Sequence, residues 1–190
     1  MHFAVCDFLL DLVQNSVEAG ARMIAVEVIE EGPWLAAGVT DDGKGMGPEE
    51  LERAKDPFYT DGVKHARRKV GLGIPFLLQA LGQAGGDYEL RSEKGKGTAF
   101  RFRFPAEGVD TPPLGDLPGF WLSACCFDGA YELLMRRRDA SRGLAYELRR
   151  SELLEAVGEL DDAGALVLAE AFLRSQEEPG DEDEENERRA

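Results

Sequence analysis

Apolar residues recur at three- and four-residue spacing through the first stretch of the chain. Phe8, Leu9, Leu12, Val13 and Val17 make one stripe, which predicts an amphipathic helix over residues 2–19. Asp7, Asp11, Asn15 and Glu18 fall on another face at the same spacing, and Gly20 closes the helix. The period then changes to alternation. Ile24, Val26 and Val28 predict a strand, Glu30 to Pro33 a turn, and Trp34 to Thr40 the antiparallel partner. That second strand delivers the chain to a glycine-punctuated turn, Asp41-Asp42-Gly43-Lys44-Gly45-Met46-Gly47. Pro48 suits a first helical position, with Glu49 and Glu50 in the first turn, where the helix dipole favours negative charge.

Residues 56–70 follow neither period and are rich in Asp, Gly, Lys and Arg, which predicts a loop. The loop runs into Gly71-Leu72-Gly73-Ile74-Pro75 and an apolar helix from Pro75 to about Leu81. A glycine-rich stretch that opens a helix suits an anion, because unpaired N–H groups and the positive end of the dipole coincide there. Tyr88–Ser92 and Thr98–Phe104 predict a hairpin around Gly95-Lys96-Gly97. Phe100, Phe102 and Phe104 share one face of it, and Arg101 and Arg103 the other. Residues 106–115 shift to Pro and Gly and read as a linker. Beyond it the pattern predicts a short helix from Asp116 as cap to about Phe127, a hairpin of Tyr131–Arg138 with Leu144–Arg150, and helices over Ser151–Leu160 and Asp162–Arg174. Residues 116–175 are therefore expected to form a small α/β extension, and the acidic tail, 176–190, to be disordered for want of apolar content.

Composition narrows the function classes. The 190 residues suffice for one full core with an appendage. Of the formal charge of −15, eight acidic and two basic residues from Gln176 to Ala190 place −6 in the tail and leave −9 on the rest. An acidic body argues against nucleic acid and against anionic membrane, both of which need a basic footprint. No apolar run approaches the ~18 residues of a membrane span, and no basic stretch with an apolar signal region opens the chain, so a cytoplasmic location is expected. Cys6, Cys125 and Cys126 show no metal spacing, and the adjacent pair could bridge only with strain, so reduced core thiols are expected. His2 and His65 are too few for a zinc site or a histidine-based triad.

Five separated stretches, in order, resemble the ATP-binding domain shared by DNA gyrase, the Hsp90 chaperone, histidine kinases and the MutL repair protein. Asp11-Leu12-Val13-Gln14-Asn15-Ser16-Val17-Glu18-Ala19-Gly20-Ala21 is similar to the first box of that superfamily, and Asp41-Asp42-Gly43-Lys44-Gly45-Met46 to the second. Asp56-Pro57-Phe58-Tyr59-Thr60 resembles the aromatic box of histidine kinases, Lys69-Val70-Gly71-Leu72-Gly73-Ile74 their glycine box, and Gly95-Lys96-Gly97-Thr98-Ala99-Phe100 the last box. The resemblance covers residues 3–105. It implies a histidine-kinase-like ATP-binding domain over 1–105, folded as a two-layer α/β sandwich. Its sheet would be mixed and mostly antiparallel, with the helices starting at residues 2 and 75 on one face.

The resemblance also implies roles. Asp41 would accept from the exocyclic amine of adenine, with Gly43, Gly45 and Met46 beside base and ribose and Thr98 adding a hydroxyl. Asn15 would offer an amide oxygen to Mg²⁺, and Asp11, one turn earlier, would be the orienting or general-base carboxylate. The loop from Thr60 to Val70 would be a lid over the triphosphate, charged by Lys64, Arg67, Arg68 and Lys69, with Gly71 and Gly73 donating N–H groups to phosphate and Tyr59, Leu72 and Ile74 completing the nucleotide-binding set. Asp42 is expected to be a solvated turn residue whose replacement by Asn would matter little.

Departures from the family shape the expected function. Gyrase and MutL relatives carry Glu as hydrolytic base where this chain has Asp11, shorter by one methylene. Only ten residues precede Asp11, too few for a phosphoacceptor domain, so phosphate is expected to pass from Mg-ATP to a partner protein in trans. The alternative is an ATP-gated protein-binding module with little turnover. The apolar faces of 116–175 would pack on the ATP domain or pair two copies as a homodimer.

Overall fold

The computed structural model describes residues 4–56 and 73–178. The elements, in order, are α1 (Val5–Glu18), β1 (Met23–Glu31), β2 (Trp34–Asp41), α2 (Pro48–Ala54), α3 (Gly73–Ala84), β3 (Asp87–Glu93), β4 (Gly97–Pro105), α4 (Leu117–Cys125), β5 (Glu132–Asp139), β6 (Leu144–Arg149), α5 (Arg150–Val157) and α6 (Ala163–Gln176). The strands form one six-stranded sheet in the order β3-β4-β2-β1-β5-β6. Every neighbouring pair is antiparallel except β1 with β5. The fold is thus the expected two-layer α/β sandwich with a mixed, mostly antiparallel sheet.

Alternation along the strands decides which face is covered. Ile24, Val26 and Val28 of β1 lie in register with Val39 and Ala37 of β2, Phe100 and Phe102 of β4, and Leu133 and Met135 of β5. These side chains are buried in one contiguous core with Leu9, Leu12 and Val13 of α1 and Leu77 and Leu81 of α3. The three phenylalanines of β4 stack edge to face along the strand, with centroids 6.0 Å and 5.9 Å apart, as their spacing on one face predicts. The opposite face carries ion pairs instead, among them Arg136 with Glu27 and Glu147, and Arg103 with Asp87.

Several boundaries differ from the sequence expectation. Helix α1 starts at Val5, where Ala4 occupies the cap position and donates its N–H to Asp7 Oδ2 at 2.8 Å. Helix α3 includes Gly73 and Ile74, two residues earlier than expected, and ends at Ala84 before Gly85, whose φ of +70° suits a residue without Cβ. Asp116 stands at the start of α4 but makes no side-chain cap bond; its carboxylate lies 3.5 Å from Arg174. Asp162 does cap α6, accepting from Gly164 and Ala165 N–H.

Residues beyond 105 share the sheet and core of the residues before it. Strand β5 lies in parallel beside β1, and α4 packs along α1 on the side away from α3, so that α1 is held between two helices. The stretch expected as a linker is tied to α1 as well, since Val5 and Cys6 donate their N–H groups to the carbonyls of Pro113 and Leu114 at 2.9 Å and 3.0 Å. Buried Arg137 pairs with Glu30, Asp139 and Glu177, which joins β5, β1 and the end of α6. The acidic tail beyond Glu178 lies outside the described residues.

Candidate functional site

At one end of the covered face the apolar rows of the sheet give way to a polar one. Register brings Ser92 of β3, Thr98 of β4 and Asp41 of β2 side by side. Ser92 Oγ lies 2.9 Å from Thr98 Oγ1, donates to Gly97 O at 3.0 Å and accepts from Met46 N–H at 2.8 Å. Asp41 is half-buried, and both of its oxygens are engaged: Oδ2 accepts from Ser16 Oγ at 2.7 Å and Oδ1 from Gly43 N–H at 2.8 Å. Two fixed donors set the plane of the carboxylate and leave lone pairs on each oxygen for a further donor.

Ser16 was not singled out by the sequence analysis. It is 3% exposed on the apolar side of α1, one residue after Asn15. Its hydroxyl also lies 3.2 Å from Leu12 O, but one hydrogen serves one acceptor at a time, and the charged carboxylate at 2.7 Å is the stronger partner. The signal available in sequence was a hydroxyl on the apolar stripe, four residues after Leu12.

The glycines of the turn have packing reasons of their own. Gly45 and Gly97 adopt φ of +61° and +99°; a Cβ on Gly45 would overlap the Glu93 carbonyl, and one on Gly97 the Asp41 carbonyl. The turn after β2 and the turn between β3 and β4 therefore cross main chain on main chain, with Gly95 N–H donating to Lys44 O at 2.7 Å. A Cβ on Gly43 would lie 2.9 Å from Ala19 Cβ and 3.0 Å from Asp41 Oδ1, which puts this glycine directly beside the fixed carboxylate.

Asp42 is exposed, as expected of a solvated turn residue, yet it has fixed partners as well. Its Oδ1 accepts from the N–H groups of both Arg22 and Met23, at 2.7 Å and 2.9 Å, and so fastens the start of β1 to the end of β2. The Met23 hydrogen bond above all holds its carboxyl below the ordinary value, although the side chain faces solvent.

Asp11 and Asn15 lie one turn apart on the exposed side of α1. The first residue of α3 abuts Asp11, since a Cβ on Gly73 would come within 2.7 Å of Asp11 Oδ2. Ile74 is half-buried behind it. Tyr59, Thr60, Lys69, Gly71 and Leu72, with the basic residues Lys64, Arg67 and Arg68, lie outside the described residues. Among the described residues no group of three or more His, Cys, Asp or Glu side chains is gathered to hold a metal ion. Of the Asp11 and Asn15 side chains, the amide oxygen of Asn15 is the hard ligand that suits Mg²⁺, a cation that takes most of its ligands from phosphate and water.

The cysteines take no part in this site. Cys6 and Cys125 are buried, and burial above all pushes each thiol up to about 12, whereas Cys126, following α4, is exposed rather than a core thiol. No helix among the described residues is long and apolar enough to cross a membrane.

Comparison with known proteins bears on the same residues. The family model described as histidine kinase-, DNA gyrase B-, and HSP90-like ATPase matches residues 4–108. Sensor histidine kinase ZraS of Escherichia coli K12 is 29% identical over 109 residues, which cover 56% of this chain and 23% of that protein. Sporulation kinase C of Bacillus subtilis is 29% identical over 98 residues, covering 50% of this chain and 22% of that protein. The chain thus spans less than a quarter of the length of these relatives. Among solved structures, the catalytic domain of histidine kinase ThkA superposes with a TM-score of 0.42 at 23% identity, over 53% of this chain and 64% of that one. The mycobacterial sensor histidine kinase MprB gives 0.40 at 22% identity, over 55% and 71%.

Proposed function

The chain belongs to the histidine kinase-, DNA gyrase B- and HSP90-like ATPase family, and from this premise we propose that it binds Mg-ATP and transfers the γ-phosphoryl group to a partner protein. The observation that carries the reading is the Asp41 carboxylate, fixed by Ser16 and Gly43 at the polar end of the covered face. A carboxylate so held accepts from the exocyclic amine of adenine, and a base presenting an acceptor there leaves it unpaired, at a cost of ~1–3 kcal/mol. Asn15 would hold Mg²⁺ through its amide oxygen; the ion would supply charge neutralisation along the phosphates. Gly43, Gly45, Met46, Gly73, Ile74 and Thr98 complete the proposed nucleotide-binding set among the described residues. Tyr59, Thr60, Lys69, Gly71 and Leu72 belong to it through their resemblance alone.

In the transfer, the bond from the γ-phosphorus to the β,γ-bridging oxygen breaks, ADP leaves, and a new bond forms to an oxygen or nitrogen of the acceptor. Asp11 takes the acceptor's proton. The same residue favours a second reading, an ATP-gated binding module with little turnover, because its carboxylate is one methylene shorter than the Glu of water-activating relatives.

Calorimetric titration with Mg-ATP, followed by incubation with γ-labelled ATP and the proteins that co-purify with the chain, tests the proposal. Binding, with label on a co-purifying protein that disappears in Asp11→Asn, is the expected result. Binding without any label supports the gated module, and no binding of Mg-ATP overturns both.

A further inference from the structure

Helix α6 buries Ala165, Ala169 and Leu173 and turns a second apolar stripe outward. Val167, Leu168 and Phe172 on that stripe are 67%, 61% and 38% exposed. They are three of the six large hydrophobic side chains exposed among the described residues; the other three, Met23, Tyr88 and Val109, lie on β1, on β3 and after β4, so α6 is the one element that carries several. Gly164, Leu168, Ala171 and Ser175 follow one another at four, three and four residues along the exposed side. That is the spacing of a helix–helix seam, and its small residues let a second backbone come close while Val167 and Phe172 flank it.

The charge around the seam selects the occupant. Asp161 and Asp162 stand at its start, Glu170 beside it and Glu178 at its end, and the one cation on the helix, Arg174, is already paired with Glu170 and Asp116. Beyond Glu178 the sequence carries six further acidic residues against two basic ones. A second copy of the chain would bring the same acids and a net charge of −15 against themselves. An anionic lipid surface would be repelled in the same way. We propose that the outer face of α6 is the docking surface for a partner protein's amphipathic helix, one whose apolar stripe is flanked by Lys or Arg. The apolar stripe would seat on Leu168, Val167 and Phe172, and the flanking cations would meet Asp161 and Glu178 at the two ends of the seam and share Glu170 with Arg174. This surface does not depend on nucleotide.

The test uses the full chain and a labelled synthetic helix with leucine on one face and lysine on the other, followed by fluorescence anisotropy without ATP. A scrambled peptide of the same composition controls for charge alone. Binding of the patterned peptide is expected to weaken about tenfold or more in Leu168→Ser/Phe172→Ser, both surface changes, with circular dichroism and melting temperature unchanged. Glu170→Lys should weaken it further at low salt. Equal binding by the double variant, or by the scrambled peptide, overturns the proposal. So does a dimer in light scattering that the double variant abolishes, which would assign the seam to a second copy. Binding to phosphatidylcholine vesicles lost in the double variant would assign it to a membrane and overturn the proposal equally.

Discussion

The hydroxyl of Ser16 donates to Asp41 Oδ2 at 2.7 Å, joining two residues 25 positions apart in sequence and fixing one oxygen of the carboxylate proposed to read adenine. Ser16→Ala leaves that oxygen without its fixed donor. ATP affinity is expected to fall about tenfold, the equivalent of ~1.4 kcal/mol, with a smaller loss for a nucleotide whose base lacks the exocyclic amine. Calorimetric titration with both nucleotides checks this; a merely structural role for Ser16 would lower both affinities alike. Asp41→Asn, which puts a donor where an acceptor is required, should cost at least as much.

Substitutions at the turn glycines should differ in their cost to stability. Gly97→Ala forces a Cβ into the Asp41 carbonyl at a positive φ, so a large fall in melting temperature is expected, with loss of roughly 2 kcal/mol or more. Gly43→Ala meets Ala19 Cβ at 2.9 Å, Asp41 Oδ1 at 3.0 Å and the Ala19 carbonyl at 3.2 Å, so the turn or the end of α1 must shift. With no positive φ to strain it, it should lower the melting temperature less than Gly97→Ala does and, by displacing the Asp41 carboxylate, weaken ATP binding as well.

Asp42→Ala removes the acceptor shared by Arg22 and Met23. Solvent screening discounts each bond, and a loss of about 1 kcal/mol is expected in chemical denaturation. Asp42→Asn keeps an acceptor oxygen and should lose less. Because the folded carboxyl titrates below its ordinary value of 3.8, its contribution is complete above that value and fades as pH falls through the lower folded one.

Arg137 is the sole cation among the buried polar residues described, and it faces Glu30, Asp139 and Glu177. Arg137→Ala takes the guanidinium from Glu30 and leaves Asp139 and Glu177 with Arg142, at 3.9 Å and 3.6 Å, and should destabilise the fold by roughly 3 kcal/mol at neutral pH. In the native protein, burial raises the Asp139 carboxyl, but bonds from Ser141 and Arg142 and the charge of Arg137 hold it below 3.8 on balance. Its favourable contribution is thus present above 3.8 and lost as pH falls through the lower folded value. The difference between native and variant in denaturation midpoint should shrink as the medium is acidified past that point.

Much of this was legible because the signals were local. The alternation of Phe100, Phe102 and Phe104 gives a buried face whatever the neighbours are, and the order of the boxes around Asp11, Asn15, Asp41 and Thr98 carries the family. What escaped depends on partners distant in sequence. Ser16 looks like any helix residue until Asp41 arrives beside it, and nothing local shows that the solvent-facing Asp42 accepts from the N–H groups of Arg22 and Met23. Nothing in the run Arg136-Arg137-Arg138 marks its middle member for burial; the acids of β1, β5 and α6 decide that. The parallel pairing of β1 with β5 has no local turn to announce it.

That pairing sets an order in time. Each β1 residue meets a β5 residue made 109 positions later, so the ribosome completes the whole family-matched segment before the neighbour of β1 exists. Until β5 and α4 emerge, one edge of β1 and one flank of α1 stay uncovered, an opening for a chaperone or for mispairing with another strand. The helix that carries Asp11 and Asn15 is made before every strand of this sheet, and α4, one of the two helices that pack on it, comes after β4. A stall before residue 132 would leave a nascent chain with every residue of the proposed nucleotide site present and the sheet unfinished.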